Sequence, residues 1–183
     1  VINNSIGNYD KALNDSLRTI TLYEKIDNIA QSGSTLQVVA DSYNKMGEYE
    51  KAMEYAKRGK DILEKLNNKR MLGYTLLTQA SIYKNKAENK IAIKCLTQAK
   101  NIFDEINEQR GLGLTHSSIG NIYYDVGKYN KAITYLKKSL TIQNNIGLKE
   151  GDILLRTTTN LFLINKIYGK KYDDEEFITL ISK

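Results

Sequence analysis

An all-α solenoid of antiparallel helix pairs is the fold this chain predicts, and three observations predict it. The first is a fixed period of 40 residues. Gly7-Asn8-Tyr9-Asp10-Lys11-Ala12 returns as Gly47-Glu48-Tyr49-Glu50-Lys51-Ala52, as Ala87-Glu88-Asn89-Lys90-Ile91-Ala92 and as Gly127-Lys128-Tyr129-Asn130-Lys131-Ala132, with no insertion or deletion between copies. A period in this range marks stacked supersecondary units that bury their cores between neighbours. The second is apolar spacing of three, four and seven residues within each copy, the mark of amphipathic helices. The third is a complete lack of proline, which leaves long helices uninterrupted.

Within one period the elements follow in order. Leu112, Ile119, Ile122, Tyr123 and Val126 mark the buried stripe of a first helix over 110–126, and Gly127 stops it. Tyr129, Ala132, Ile133, Leu136 and Leu140 mark a second helix from about Tyr129 to Ile146. The same stripe reads Tyr49, Ala52, Met53, Ala56, Ile62, Leu63 and Leu66 two periods earlier, and Ala92, Leu96, Ala99, Phe103 and Ile106 one period earlier. Asn67-Asn68-Lys69, Asn107-Glu108 and Asn144-Asn145 punctuate the exits.

Small residues recur as regularly as large ones. Ala40, Ala80 and Gly120 form one column, Ala52, Ala92 and Ala132 a second, and Thr19, Gly59, Ala99 and Ser139 a third. Small side chains let two helices approach closely where they cross, and such crossings tolerate little added volume.

The array divides into a partial repeat at 1–27, full repeats at 28–67, 68–107 and 108–147, and capping or transitional helices over 148–183. Val1–Ile6 aligns with the last turn of a first helix, so a turn is expected at Gly7-Asn8 and a second helix over 8–26. With no initiator Met, the chain reads as a piece of a longer protein. A capping helix is expected over 150–168, and Asp173-Asp174-Glu175-Glu176 favours the start of another short helix.

The bulk numbers exclude several classes. No apolar run approaches the roughly 18 residues a membrane helix needs, and Val1-Ile2-Asn3-Asn4 does not begin a secretory signal. Cys95 is the single cysteine, so no internal disulfide exists and a cytoplasmic location is expected. The net charge is +6, yet the lysines interleave with Glu and Asp and form no dense stripe, which weighs against nucleic acid.

No catalytic constellation stands out. His116 is the single histidine, and its column holds Leu36 and Leu76, so a packing role is expected and no metal cluster. Cys95 lies beside Leu96 on the core side and reads as a buried, inert thiol. Gly111-Leu112-Gly113 lacks the following lysine and hydroxyl of a phosphate loop. The chain is expected not to be an enzyme and to need no cofactor.

The bulky–small–aromatic signature of the first helix names a resemblance. Val39-Ala40 with Tyr43 precedes Ala52, Gln79-Ala80 with Tyr83 precedes Ala92, and Ile119-Gly120 with Tyr123 precedes Ala132. This resembles a tetratricopeptide repeat array of the subclass with lengthened, 40-residue repeats, as in kinesin light chains, Leu-Gly-Asn-repeat adaptors and bacterial peptide-responsive regulators. The resemblance implies a right-handed superhelix of about three full repeats plus partial terminal units. Departures are Leu36, Leu76 and His116 at an aromatic column, Ala87 and Asn89 in the third turn, and Asn160 and Leu163 where Gly and Tyr are expected.

The resemblance also implies a site. First helices of the family line a concave groove, and its five groove positions carry over to Ser34, Gln37, Asp41, Asn44 and Lys45, then Tyr74, Leu77, Ser81, Lys84 and Asn85. Next come Leu114, Ser117, Asn121, Tyr124 and Asp125, and lastly Leu154, Thr157, Leu161, Ile164 and Asn165. The positions of the chaperone-tail clamp read Gln37 with Asp41, Leu77 with Ser81 and Ser117 with Asn121, without the cationic fork a terminal carboxylate needs. Asn121, Tyr124 and Tyr74 are the expected anchors. The apolar Leu154, Leu161 and Ile164 are expected either to bind an apolar ligand or to pack against a following helix.

A protein- or peptide-binding scaffold is therefore the expected function. The second expectation is a sensory or regulatory segment of a larger kinase, cyclase or transcription regulator. A third is self-association through the open N-terminal end.

Overall fold

The computed structural model describes residues 2–25, 29–147 and 152–168. Among them the chain forms eight helices: α1 (Ile2–Lys25), α2 (Ile29–Lys45), α3 (Tyr49–Lys65), α4 (Lys69–Asn85), α5 (Asn89–Glu105), α6 (Gln109–Asp125), α7 (Tyr129–Asn145) and α8 (Asp152–Tyr168). No strand occurs among the described residues. The all-α reading and its helix pairs hold, and the helices after α1 are uniformly 17 residues long. The acidic 173–176 segment lies outside the described residues.

Identical turns keep the period constant. After α6, Gly127 takes a φ of +71°, its N–H donates to the Tyr124 carbonyl at 3.0 Å, and the Lys128 N–H donates to the Tyr123 carbonyl at 2.8 Å. That pair of bonds satisfies carbonyls the helix end would leave orphaned. The same bonds form after α4, where Ala87 N–H reaches the Lys84 carbonyl at 2.9 Å and Glu88 N–H the Tyr83 carbonyl at 2.8 Å. Ala87 therefore holds a left-handed φ of 61° without being glycine, while Asn67 and Asn107 fill the same role at 51° and 54°. Asn68 also caps the next helix, its Oδ1 accepting from the Met71 N–H at 3.2 Å.

One expected turn does not form. Helix α1 runs unbroken from Ile2 to Lys25, straight through Gly7-Asn8-Tyr9. A chain reversal is favoured only when both helices it separates have a face to bury. Six residues are too few for that, so continuing the backbone ladder satisfies more N–H and C=O groups than turning does.

The chain divides into two compact units, Val1–Ile102 and Phe103–Lys183. In the first, α2 packs against both α1 and α3, and α4 packs against α3 and α2. Its core gathers Leu13, Ile20, Leu36, Val39, Ala40, Tyr43, Ala52, Ala56 and Ile82. Gly59 sits at the close approach to α2, where an added Cβ would lie 3.1 Å from the Gly33 carbonyl oxygen.

In the second unit α6 packs on α7, and α8 packs on both. Ala132, Leu136, Leu140, Leu161 and Ile164 form its core cluster. Gly111 gives room to the Phe103 ring, which an added Cβ would meet at 2.6 Å. At the third small column Ser139 replaces Gly59, and its hydroxyl donates to the Gly113 carbonyl at 2.8 Å. Gln143 Nε2 donates to the same Ser139 oxygen at 2.6 Å.

Candidate functional site

Each unit presents a face built from first helices. In the first unit the polar groove residues are joined across the repeat. Gln37 Nε2 donates to Thr78 Oγ1 at 3.0 Å. Asn44 Nδ2 donates to Ser81 Oγ at 3.0 Å, and Asn85 Nδ2 donates to Asn44 Oδ1 at 2.9 Å. Each partner lies about one period further along the chain, so side-by-side first helices are tied by a polar ladder. Asn44 is buried by it, while Gln37 and Ser81 stay half-exposed. Asp41 pairs with Lys45 one turn on, at 2.8 Å in an exposed setting. Ser34, Tyr74, Leu77 and Lys84 are half-buried, and Lys45 and Asn85 are exposed.

The second unit repeats the device more deeply. Ser117 and Thr157 share a hydrogen bond of 3.0 Å, and Asn160 Nδ2 donates to Asn121 Oδ1 at 2.7 Å. Ser117, Thr157 and Asn121 are all buried, Asn121 at 3% exposure. This corrects the expectation of Asn121 as an open anchor: Asn160 stands in a column that elsewhere holds only Ala or Gly, and its amide closes over the carboxamide oxygen of Asn121. Among the described residues Asn121 Nδ2 has no hydrogen-bond partner. Leu114 and Tyr124 remain half-buried and Asp125 exposed. The Tyr124 ring meets Tyr129 edge-on at 5.7 Å.

The apolar positions of α8 also differ from a ligand pocket. Leu161 and Ile164 belong to the core cluster with Ala132, Leu136 and Leu140, at 3% and 0% exposure. Their burial follows from α8 packing on α7, which takes up the apolar face itself. The side chains of Leu154 and Asn165 lie outside the described residues. Thr78 and Asn160 are partners that the column reading passed over, although a polar residue 39–41 positions from another polar groove residue would have flagged each.

His116 and Cys95, the single histidine and the single cysteine, are both buried. His116 is buried, its ring 5.8 Å from that of Tyr135, as a packing histidine should be. Cys95 is buried, and loss of solvent pushes its thiol above the ordinary range despite Lys60 and Lys94 nearby. That disfavours the thiolate a nucleophile needs. Among the described residues no group of three or more His, Cys, Asp or Glu side chains is placed to hold a metal, and no helix is long and apolar enough to cross a membrane.

Helix pairs of constant length, identical turns and small-residue crossings define a helical repeat scaffold. The tetratricopeptide repeat family model matches residues 34–68 and 115–146, and the matches support a tetratricopeptide-like repeat array. No curated protein sequence matches it. Among solved structures it is similar to BtubC (BKLC) from P. vanneervenii, at 14% identity over 98% of this chain and 70% of that one, with a TM-score of 0.71. It is also similar to a putative kinesin light chain from Podosopora anserina with nearly identical TPR-like repeats, at 14% identity over 99% and 93% of the two chains and a TM-score of 0.59.

Proposed function

We propose that this array is a protein- or peptide-binding scaffold that holds a polypeptide segment along the faces of its first helices. The observation that carries the reading is a division of labour on those faces. The polar groove residues Gln37, Asn44, Ser81, Ser117 and Asn121 are fixed by repeat-to-repeat hydrogen bonds, while Tyr74, Leu77, Lys84 and Tyr124 stay half-exposed beside them. A surface held rigid before its partner arrives loses less freedom on binding. Tyrosine adds a large apolar contact with a polar tip at small entropic cost.

The test is affinity capture from a lysate of the source organism. The bait is this chain, run beside a Tyr74→Ala, Leu77→Ala, Tyr124→Ala variant of matched helicity and melting temperature. A protein held by the parent and lost by the variant supports the reading. Equal retention by both removes these faces from the binding role. Asn121 is left intact, because its truncation would strand the Asn160 amide and confuse stability with binding.

A further inference from the structure

The net charge of the chain is not spread evenly, and the interleaving of charges expected from the whole sequence fails at α4, which holds Lys69, Arg70 and Lys84 without a carboxylate, and most strongly at α7. Positions 48–65, spanning α3, hold five cations and five carboxylates: Lys51, Lys57, Arg58, Lys60 and Lys65 against Glu48, Glu50, Glu54, Asp61 and Glu64. Two periods on, positions 128–145 span α7. They hold four lysines, at 128, 131, 137 and 138, and no carboxylate. Every acid of the α3 segment has been exchanged: Glu48 for Lys128, Glu50 for Asn130, Glu54 for Thr134, Asp61 for Thr141 and Glu64 for Asn144. The α3 segment is neutral and the α7 segment carries +4, out of +6 for the whole chain.

The structure leaves three of these four lysines exposed, at 128, 131 and 138, while Lys137 is half-buried. Lys131, Thr134, Lys138, Thr141 and Asn145 recur at alternating steps of three and four, which aligns them along a single side of α7. All five are exposed, as is Lys128 at the helix entry. The threonine hydroxyls donate back to their own helix, Thr134 to the Asn130 carbonyl and Thr141 to the Lys137 carbonyl, both at 3.0 Å. The lysines are held near the surface by rings. Lys131 Nζ stands 5.5 Å from the Tyr123 centroid and Lys138 Nζ 5.9 Å from that of Tyr135.

On α3 the same cradle exists, with Lys51 5.4 Å from Tyr43 and Arg58 5.6 Å from Tyr55. There Lys51 is paired with Glu48, and Glu54 and Asp61 occupy the threonine positions. The ring cradle of the stripe is thus common to both helices, while α7 lacks every carboxylate of α3 and also two of its cations, Lys60 and Lys65, which Leu140 and Asn145 replace.

We propose that the exposed stripe of α7 is a docking surface for a carboxylate-rich polypeptide segment. Lys131 and Lys138 lie two turns apart, about 10 Å along the axis. Carboxylates three residues apart on an extended chain span about the same length. The surface is one helix wide, and its few lysines would neutralise far fewer phosphates than the roughly 6–10 that give nucleic-acid complexes their strength.

The experiment measures binding of a fluorescent oligoglutamate peptide by anisotropy at low salt. Its partner variants exchange the pattern of the two helices. Thr134→Glu, Thr141→Asp gives α7 the carboxylates of α3 while leaving every lysine in place, and Glu54→Thr, Asp61→Thr strips them from α3. All four sites are exposed, and melting temperatures confirm the fold. The parent is expected to bind, with affinity that falls as salt rises. The α7 variant is expected to lose about tenfold or more, and the α3 variant to bind at least as well as the parent. Absent binding to oligoglutamate, or equal binding by the parent and the α7 variant, would overturn the proposal. Tighter binding of a single-stranded oligonucleotide or of phosphatidylserine vesicles than of oligoglutamate would overturn its assignment to an acidic polypeptide. Because the stripe lies on a second helix, the groove variants of the capture experiment leave it intact, and the two readings fail separately.

Discussion

At the scale of single residues the turns carry the clearest physics. Each helix from α2 to α7 is followed by a left-handed residue, and the array fills that position with Gly47, Asn67, Ala87, Asn107, Gly127 and Gly147. Glycine takes this conformation without cost and asparagine tolerates it, whereas a Cβ elsewhere costs roughly 1–2 kcal/mol. Ala87 therefore stores strain, and the close bonds around it show why it persists: Glu88 and Ala87 donate to the last carbonyls of α4, and Lys86 is held by Glu50 at 3.3 Å. Ala87→Gly is expected to stabilise the protein by about 1 kcal/mol, read as a higher denaturant midpoint at unchanged slope. A fall in the midpoint would mean that the turn is held by its packing and not limited by its backbone. The turn itself was legible in the sequence by period alone, since Lys86-Ala87-Glu88-Asn89 lacks both landmarks of the other copies.

At the scale of elements, helix crossings are set by pairs of facing columns. Gly120 lies against Leu136, and an added Cβ would meet the Leu136 side chain at 2.7 Å and its backbone nitrogen at 3.2 Å. Two periods back the same two columns hold Ala40 and Ala56, both fully buried. The larger Leu136 thus faces the smallest possible neighbour, and a close-packed crossing leaves little room to enlarge it. Gly120→Ala gains helix propensity of about 1 kcal/mol, but it presses on a leucine with no exposed surface. A net loss of about 1–3 kcal/mol is expected. Adding Leu136→Ala, which restores the pairing of the other unit, should cost less than the sum of the two single changes. Additive losses in chemical denaturation would show that the columns are independent. The small columns were legible in the sequence, because Ala, Gly and Ser recur there. The unbroken course of α1 was not, because a repeated motif predicts a turn wherever it occurs, whereas the reversal depends on having two faces to bury.

At the scale of the whole molecule, what the sequence leaves unread is the use to which a polar residue is put. Column reading placed Gln37, Asn44, Ser117 and Asn121 on the binding face because the family uses those positions for ligands. In the structure each is bonded to a residue about one period away. Both uses demand the same residue types, small and hydrogen-bonding, so composition at a position does not separate them. Burial does, and burial depends on how tightly the next repeat closes. Ser117 and Thr157 are the clearest case, at 1% and 0% exposure with a 3.0 Å bond between them. If such bonds couple one repeat to the next, removing both partners should cost less than the two single losses added together. Ser117→Ala strands the Thr157 hydroxyl and is expected to destabilise by about 1–3 kcal/mol. Thr157→Val strands the serine to a similar degree. The double variant replaces the pair by apolar groups of similar shape and is expected to fall short of the summed losses by roughly 1 kcal/mol. A double-mutant cycle in urea measures that difference. A coupling near zero would mean that the ladder follows from the stacking of α8 on α6 and does not help to hold it.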